Sequence, residues 1–169
     1  MPDMRLNLAV VMDPIADIKP AKDTTLAMML AAQRRGWQLS YLELRHLWLR
    51  DGVAYGRAHP VAVRDDLADW YTLGEPATVP LGSFDAILMR KDPPFDTEYI
   101  YATYILERAE AAGALVVNRP QGLRDMNEKV YTAWFPECCA PTLITRDMAD
   151  MHAFLREHGR AVCKPLHGM

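Results

Sequence analysis

Cysteine is scarce: of 169 residues only Cys138, Cys139 and Cys163 carry a thiol, a pattern that supplies neither a disulfide framework nor a zinc spacing. Long apolar runs are missing as well, so nothing reaches the length of a membrane-spanning helix. The start, Met1 to Arg5, leads straight into an apolar run that ends at Asp13 and lacks the layout of a signal peptide. No sign of charge dominates. The net charge is -3 with acidic and basic residues interspersed, which leaves no basic stripe for a phosphate backbone and no basic amphipathic helix for a lipid surface. Internal repeats and low-complexity segments are also absent. These absences predict a cytoplasmic chain with neither nucleic acid nor membrane as a partner.

What is present is the balance of a globular protein, 50% hydrophobic and 24% charged, in a length that suits one domain or one domain plus part of another. Leu6 to Val11 reads as a buried strand. Asp23 is a helix cap, Leu26, Met29 and Leu30 recur at helical spacing, and Gly36 offers the stop before a second strand over Gln38–Leu42. A crossover of that length makes the two strands parallel. Asp51-Gly52 between Leu47–Leu49 and Val53–Tyr55 is a hairpin signal, and further strand pieces at Val61–Val63 and Trp70–Leu73 suggest an antiparallel excursion at the sheet edge. Ala86–Met89 then reads as a third core strand. A helix capped near Thr97 follows, with Ile100, Tyr104 and Ile105 on one face and Gly113 as its stop, and Leu115–Val117 is a fourth strand.

After Asn118 the pattern changes. A short helix is expected through Asn127–Phe135, strands at Thr142–Ile144 and Ala161–Lys164, and between them a helix over Asp147–His158 with Met148, Met151, Phe154 and Leu155 turned inward.

In an open parallel sheet, ligands bind beyond the carboxyl ends of the strands. Polar clusters stand at three such ends: Asp13 after the first strand, Arg90-Lys91-Asp92 after the third and Asn118 after the fourth. An arginine fork there suits a carboxylate, which it grips through parallel hydrogen bonds. Loops of this kind are also polar simply because they face water, and a mixed Arg-Lys-Asp cluster can neutralise itself. Lys129 and Lys164 could flank a triphosphate, although a lone lysine is more often solvated. His167-Gly168 is a weak signal for a phosphate-cradling loop. His152 and His158, six apart on a helix, point in different directions, so these histidines and Cys163 are read as surface histidines and a buried free thiol, with no metal site.

A resemblance joins these observations. Val11-Met12-Asp13-Pro14-Ile15, Ala32-Gln33-Arg34-Arg35-Gly36, the run ILMRKDPPFDTEYIYATYILERAE from Ile87 to Glu110, Val117-Asn118-Arg119-Pro120-Gln121, Asn127-Glu128-Lys129 and Lys164-Pro165-Leu166 resemble the bacterial glutathione synthetase family of the ATP-grasp superfamily, nearly end to end. The resemblance implies an α/β fold: a mainly parallel, Rossmann-like pre-ATP-grasp substrate domain over residues 1–124, then an incomplete ATP-grasp subdomain over 125–169. It implies a carbon–nitrogen ligase that joins γ-glutamylcysteine to glycine with ATP and Mg2+ through an acyl phosphate, in a homo-oligomer. On this resemblance Lys129 and Lys164 bind nucleotide, while Arg90, Asp13 and Asn118 face the peptide substrates. His167 stands where the family usually has aspartate. The family continues past Met169 with its glycine-rich lid and its magnesium ligands, so the 169 residues alone are expected to be inactive. A non-catalytic binding or assembly module of the same fold is the alternative, and a ligase joining D-alanines fits the Arg90 loop less well.

Overall fold

A computed structural model describes residues 5–166 and divides the chain into two compact units, one ending at Gly122 and the other beginning at Leu123.

The first unit is mixed α/β. Its strands are β1 (Asn7–Val11), β2 (Gln38–Leu42), β3 (Leu47–Arg50), β4 (Val53–Val63), β5 (Tyr71–Leu73), β6 (Ala77–Pro80), β7 (Ala86–Met89) and β8 (Leu115–Val117), and its long helices are α1 (Thr24–Arg34) and α2 (Thr97–Ala111). Along the main path the strands run β3-β4-β2-β1-β7-β8, with β5 and β6 also paired to β4. β1 pairs in parallel with β2 on one side and β7 on the other, and β7 pairs in parallel with β8. The pairings of β4 are all antiparallel.

The physical causes are local and then cooperative. β1 is apolar at successive positions because both sides of the sheet are covered there. Leu8 and Val10 pack with Leu26, Met29 and Ala32 of α1; Ala9 and Val11 point to the opposite side and are equally buried. Asp23 starts α1 by accepting the Leu26 N–H at 2.6 Å, the usual role of a capping carboxylate. At the other end of α1, Gln33 donates from Nε2 to the Val63 carbonyl at 2.7 Å and accepts the Val63 N–H at Oε1 at 2.8 Å. Its amide thus substitutes for one rung of a neighbouring strand at the end of β4.

Between β3 and β4, Asp51 and Gly52 hold φ of 50° and 77°, the paired positive values a two-residue hairpin turn needs to match strand twist. β4 continues for 11 residues, through Gly56 and Pro60. The pieces that read separately as Val53–Tyr55 and Val61–Val63 are one strand, because β3 and β6 flank its first half and β2 and β5 its second. Gly56 is required by close approach: a Cβ there would lie 2.5 Å from Leu42 Cδ2 and 2.7 Å from Leu81 Cδ2.

α2 buries a different face from the one its large apolar residues suggest. Tyr99, Ala102, Thr103, Leu106 and Ala109 are buried, whereas Tyr104 is 48% exposed. Small residues let the helix approach β3, β4 and β8 closely, and burying Leu106 completely contributes about 2 kcal/mol.

The second unit departs further from expectation. Its long helix is α4 (Met148–His158), capped by Asp147, which accepts the Ala149 N–H at 2.7 Å. Thr142–Ile144 and Ala161–Lys164 are not strands, and Asn127–Phe135 contains a 3-10 turn at Tyr131–Trp134 instead of an α-helix. A strand exists only with a partner for its backbone groups, and this unit has none among the described residues. The apolar stripe of α4 is only half covered: Met151 and Phe154 are partly buried, whereas Met148 is 60% and Leu155 44% exposed. Cys163 is exposed as well. The short helix α3 (Pro120–Asp125) follows β8.

Candidate functional site at the carboxyl edge of the parallel strands

Because β1, β7 and β8 are parallel neighbours, the residues that leave their carboxyl ends share one edge of the sheet. Asp13, Arg90 and Asn118 are therefore brought to the same side. The Arg90 N–H donates to the Val11 carbonyl at 2.7 Å, so the chain leaves β7 directly beside the exit from β1. Asp13 fastens the two residues after Arg90: Oδ2 accepts the Asp92 N–H at 2.9 Å and Oδ1 pairs with Lys91 Nζ at 2.8 Å. The charge of Lys91 is thus largely matched within the loop.

Arg90 is held differently. Its Nε donates to Thr25 Oγ1 at 3.1 Å and its Nη2 to Thr24 Oγ1 at 2.9 Å, both at the start of α1. Neither acceptor is charged. Asn118, at the tip of β8, is exposed. The edge therefore offers an oriented guanidinium, an anchored polar loop and an accessible amide, a set suited to an acidic, hydrogen-bonding ligand.

A second polar group supports the loop after β1. The Tyr41 hydroxyl accepts the Ile15 N–H at 3.2 Å and donates to Glu43 Oε1 at 2.7 Å, and Arg45 pairs with Glu43 Oε2 at 2.9 Å. His46 closes a capping box, accepting the Glu43 N–H at Nδ1 at 3.1 Å. Burial raises the Tyr41 pKa above its usual value, helped by the hydrogen bond to Glu43. Burial also lowers that of His46, which keeps the imidazole neutral and Nδ1 free to accept. From Trp70, Nε1 donates to the Ile15 carbonyl at 2.9 Å, so both backbone polar groups of Ile15 are tied down.

Sequence reasoning missed Thr24, Thr25, Tyr41, Glu43 and His46. The two threonines carry one retrospective signal, since they follow the capping Asp23 at the opening of a helix whose start must lie near a strand's carboxyl end.

Lys129 and Lys164 belong to the second unit. The Lys129 N–H donates to Asn127 Oδ1 at 3.0 Å and its Nζ lies 3.8 Å from Glu128 Oε1, with the side chain 19% exposed. Lys164 is exposed in an irregular segment. The position of His167 lies outside the described residues. Among the described residues no three His, Cys, Asp or Glu side chains come together as a metal ion would require, and no helix is long and apolar enough to cross a membrane.

Fold and edge together define a mixed α/β protein that gathers polar side chains where parallel strands end. Two family models match it in series: prokaryotic glutathione synthetase, N-terminal domain, over residues 6–124, and prokaryotic glutathione synthetase, ATP-grasp domain, over residues 128–169. The chain belongs to the prokaryotic glutathione synthetase family. It is 55% identical over 166 residues to the glutathione synthetase of Xanthomonas axonopodis pv. citri, covering 98% of this chain and 52% of that protein. To that of Vibrio vulnificus strain YJ016 it is 54% identical over 166 residues, with 98% and 52% covered. To that of Yersinia pestis it is 53% identical over 164 residues, with 97% and 51% covered. The chain spans about half the length of the curated relatives it matches.

Proposed function

We propose that this chain supplies the peptide-gripping part of a glutathione synthetase, a ligase that joins γ-glutamylcysteine to glycine at the expense of ATP. The observation that carries the reading is the Arg90 guanidinium held beside the anchored Asp13–Lys91 loop at the carboxyl edge of the sheet. Two family models and relatives named glutathione synthetase support it.

The chemistry explains why such a grip is needed. A free carboxylate is a poor electrophile, so the dipeptide carboxylate attacks the γ-phosphorus of ATP, expels ADP and becomes an acyl phosphate. The glycine amine then attacks the acyl carbon, and inorganic phosphate leaves as the amide forms. Holding the reactants in line supplies much of the acceleration, and neutralising charge on the phosphates supplies the rest. In this scheme Arg90 takes a dipeptide carboxylate, Asp13 keeps the Arg90 loop in place and Asn118 adds a polar contact. Lys129 and Lys164 hold nucleotide phosphates. Among the described residues no three His, Cys, Asp or Glu side chains gather as a metal centre, and no step is assigned to magnesium.

On the same reading, residues 1–124 form a Rossmann-like pre-ATP-grasp domain and 125–169 open the ATP-grasp domain. The same reading carries a cytoplasmic setting and a homo-oligomer. Residues 1–169 alone do not turn over. Titration calorimetry with γ-glutamylcysteine tests the grip: the chain binds it, and Arg90→Lys weakens binding by roughly tenfold or more, the usual cost of a lost charge-assisted hydrogen bond. Equal affinity in Arg90→Lys refutes the reading, and so does absence of binding. A non-catalytic module of the same fold would bind only the peptide, or neither ligand, even when the chain is extended to the length of its relatives.

A further inference from the structure

We propose that Thr24 and Thr25 are positioning residues for Arg90, setting which edge of its guanidinium faces the ligand. The inference rests on the peptide-gripping role proposed for Arg90.

A guanidinium presents its donors along distinct edges of one plane. Nε and Nη2 form the side edge; Nη1 and the second N–H of Nη2 form the forward edge. Thr25 and Thr24 occupy the side edge at 3.1 and 2.9 Å. Among the described residues Nη1 meets no acceptor, so the forward edge stays open for a bidentate carboxylate. Arg90 would otherwise rotate among many rotamers, a freedom that binding would have to remove.

The chemical type of the partner matters as much as its place. A carboxylate on the side edge would orient the guanidinium equally well, but it would cancel the charge that attracts an acidic peptide. A hydroxyl oxygen orients without cancelling. The neighbouring Lys91 shows the contrast, because Asp13 pairs with it directly at 2.8 Å. Thr25 is 4% exposed and packed into the α1 interface, and as a β-branched residue it is stiff at χ1. Its oxygen is therefore a fixed point, and Thr24 supplies the second contact from the exposed side.

The test uses calorimetry with γ-glutamylcysteine on Thr24→Ala, Thr25→Val, Thr25→Ser and the double variant Thr24→Ala/Thr25→Val, each also in the Arg90→Lys background. The double variant binds roughly tenfold more weakly, Thr25→Ser binds like the unsubstituted chain, and neither threonine change weakens binding further once Arg90 is lysine. That non-additivity separates positioning from general loosening. If the double variant does not fold, Thr24→Ala carries the test, with affinity reduced about threefold and melting unaltered. A second readout is independent of ligand: the Arg90 Nε–H proton, followed by 15N-correlated NMR, exchanges with water faster in Thr25→Val than in the unsubstituted chain, where it is hydrogen-bonded to Thr25 Oγ1. Threonine variants that bind normally while Arg90→Lys is weakened overturn this proposal and leave the function standing. If Arg90→Lys binds normally, or the unsubstituted chain does not bind, the function falls and the proposal with it.

Discussion

The side-chain amide of Gln33 satisfies both backbone polar groups of Val63, giving one hydrogen bond of 2.7 Å and taking one of 2.8 Å. Val63 is 2% exposed while Gln33 is exposed, so the two hydrogen bonds are part-buried and water can reach the place of the amide once it is removed. Gln33→Ala is predicted to destabilise the first unit by about 1 kcal/mol, the ordinary net worth of hydrogen bonds whose place water can take. Gln33→Glu keeps the acceptor but sets a carboxylate oxygen against the Val63 carbonyl, so it recovers little of the loss. Urea unfolding checks this, and a change under about 0.5 kcal/mol in Gln33→Ala would show that the pairing contributes little.

Gly56 predicts the opposite kind of damage. A methyl group there would press on Leu42 and Leu81, both fully buried. Gly56→Ala is expected to cost about 1–3 kcal/mol by overpacking, seen as a lowered melting temperature. Unchanged melting would mean that the leucines swing aside freely.

His46 gives a pH dependence with a definite sign. Burial holds it below its ordinary value of 6.5; Glu43 opposes that shift, and Arg45, His59 and Arg57 reinforce it. As the pH falls, the unfolded chain takes up the proton first. Its contribution to stability is therefore complete above 6.5 and is lost as the pH drops below that value toward the folded pKa. Protonation would also place a hydrogen on Nδ1, which accepts the Glu43 N–H. The urea midpoint should fall between about pH 7.5 and about pH 5, and His46→Gln should flatten part of that fall. An identical pH profile in His46→Gln would remove His46 as its source.

At the sheet edge, Asp13→Ala removes both fastenings of the segment after Arg90. The Asp13–Lys91 pair is partly exposed, so its loss should cost about 1 kcal/mol of stability or less. On the proposed function, γ-glutamylcysteine affinity falls roughly tenfold, since a loop freed to move must be reordered on binding. Calorimetry and thermal melting on the same variant separate the effects, and a large loss of melting temperature with unaltered affinity would contradict both expectations.

How much of the fold and the site was legible depended on the range of the interactions. β1 and β7 announce themselves through continuous apolar runs, β2 through its place just after the Gly36 helix stop, and the β3–β4 turn through Asp51-Gly52, because those signals are local. The buried face of α2 does not, since Ala102, Thr103 and Ala109 give a weaker pattern than the large residues on its flank. Thr142–Ile144 and Ala161–Lys164 have strand-like composition, yet composition cannot supply a neighbouring strand. Asp13, Arg90 and Asn118 could be placed together through strand direction alone. The threonines that hold Arg90 lie 65 and 66 positions away in sequence, and nothing local links them to it. His46 closes its capping box from a position where glutamate or glutamine is the usual sign.

Helix α1 is tethered at both extremities, to Arg90 near its beginning and to Val63 near its close. From Thr25 to Gln33 the axis advances about 12 Å, and each residue turns the next by about 100°. Inserting or deleting a single residue between those points would swing one end out of phase with the other, so only one tether could survive. The helix therefore acts as a gauge block of fixed length and pitch, and repairs to its interior must conserve residue number even where they are free to change residue type.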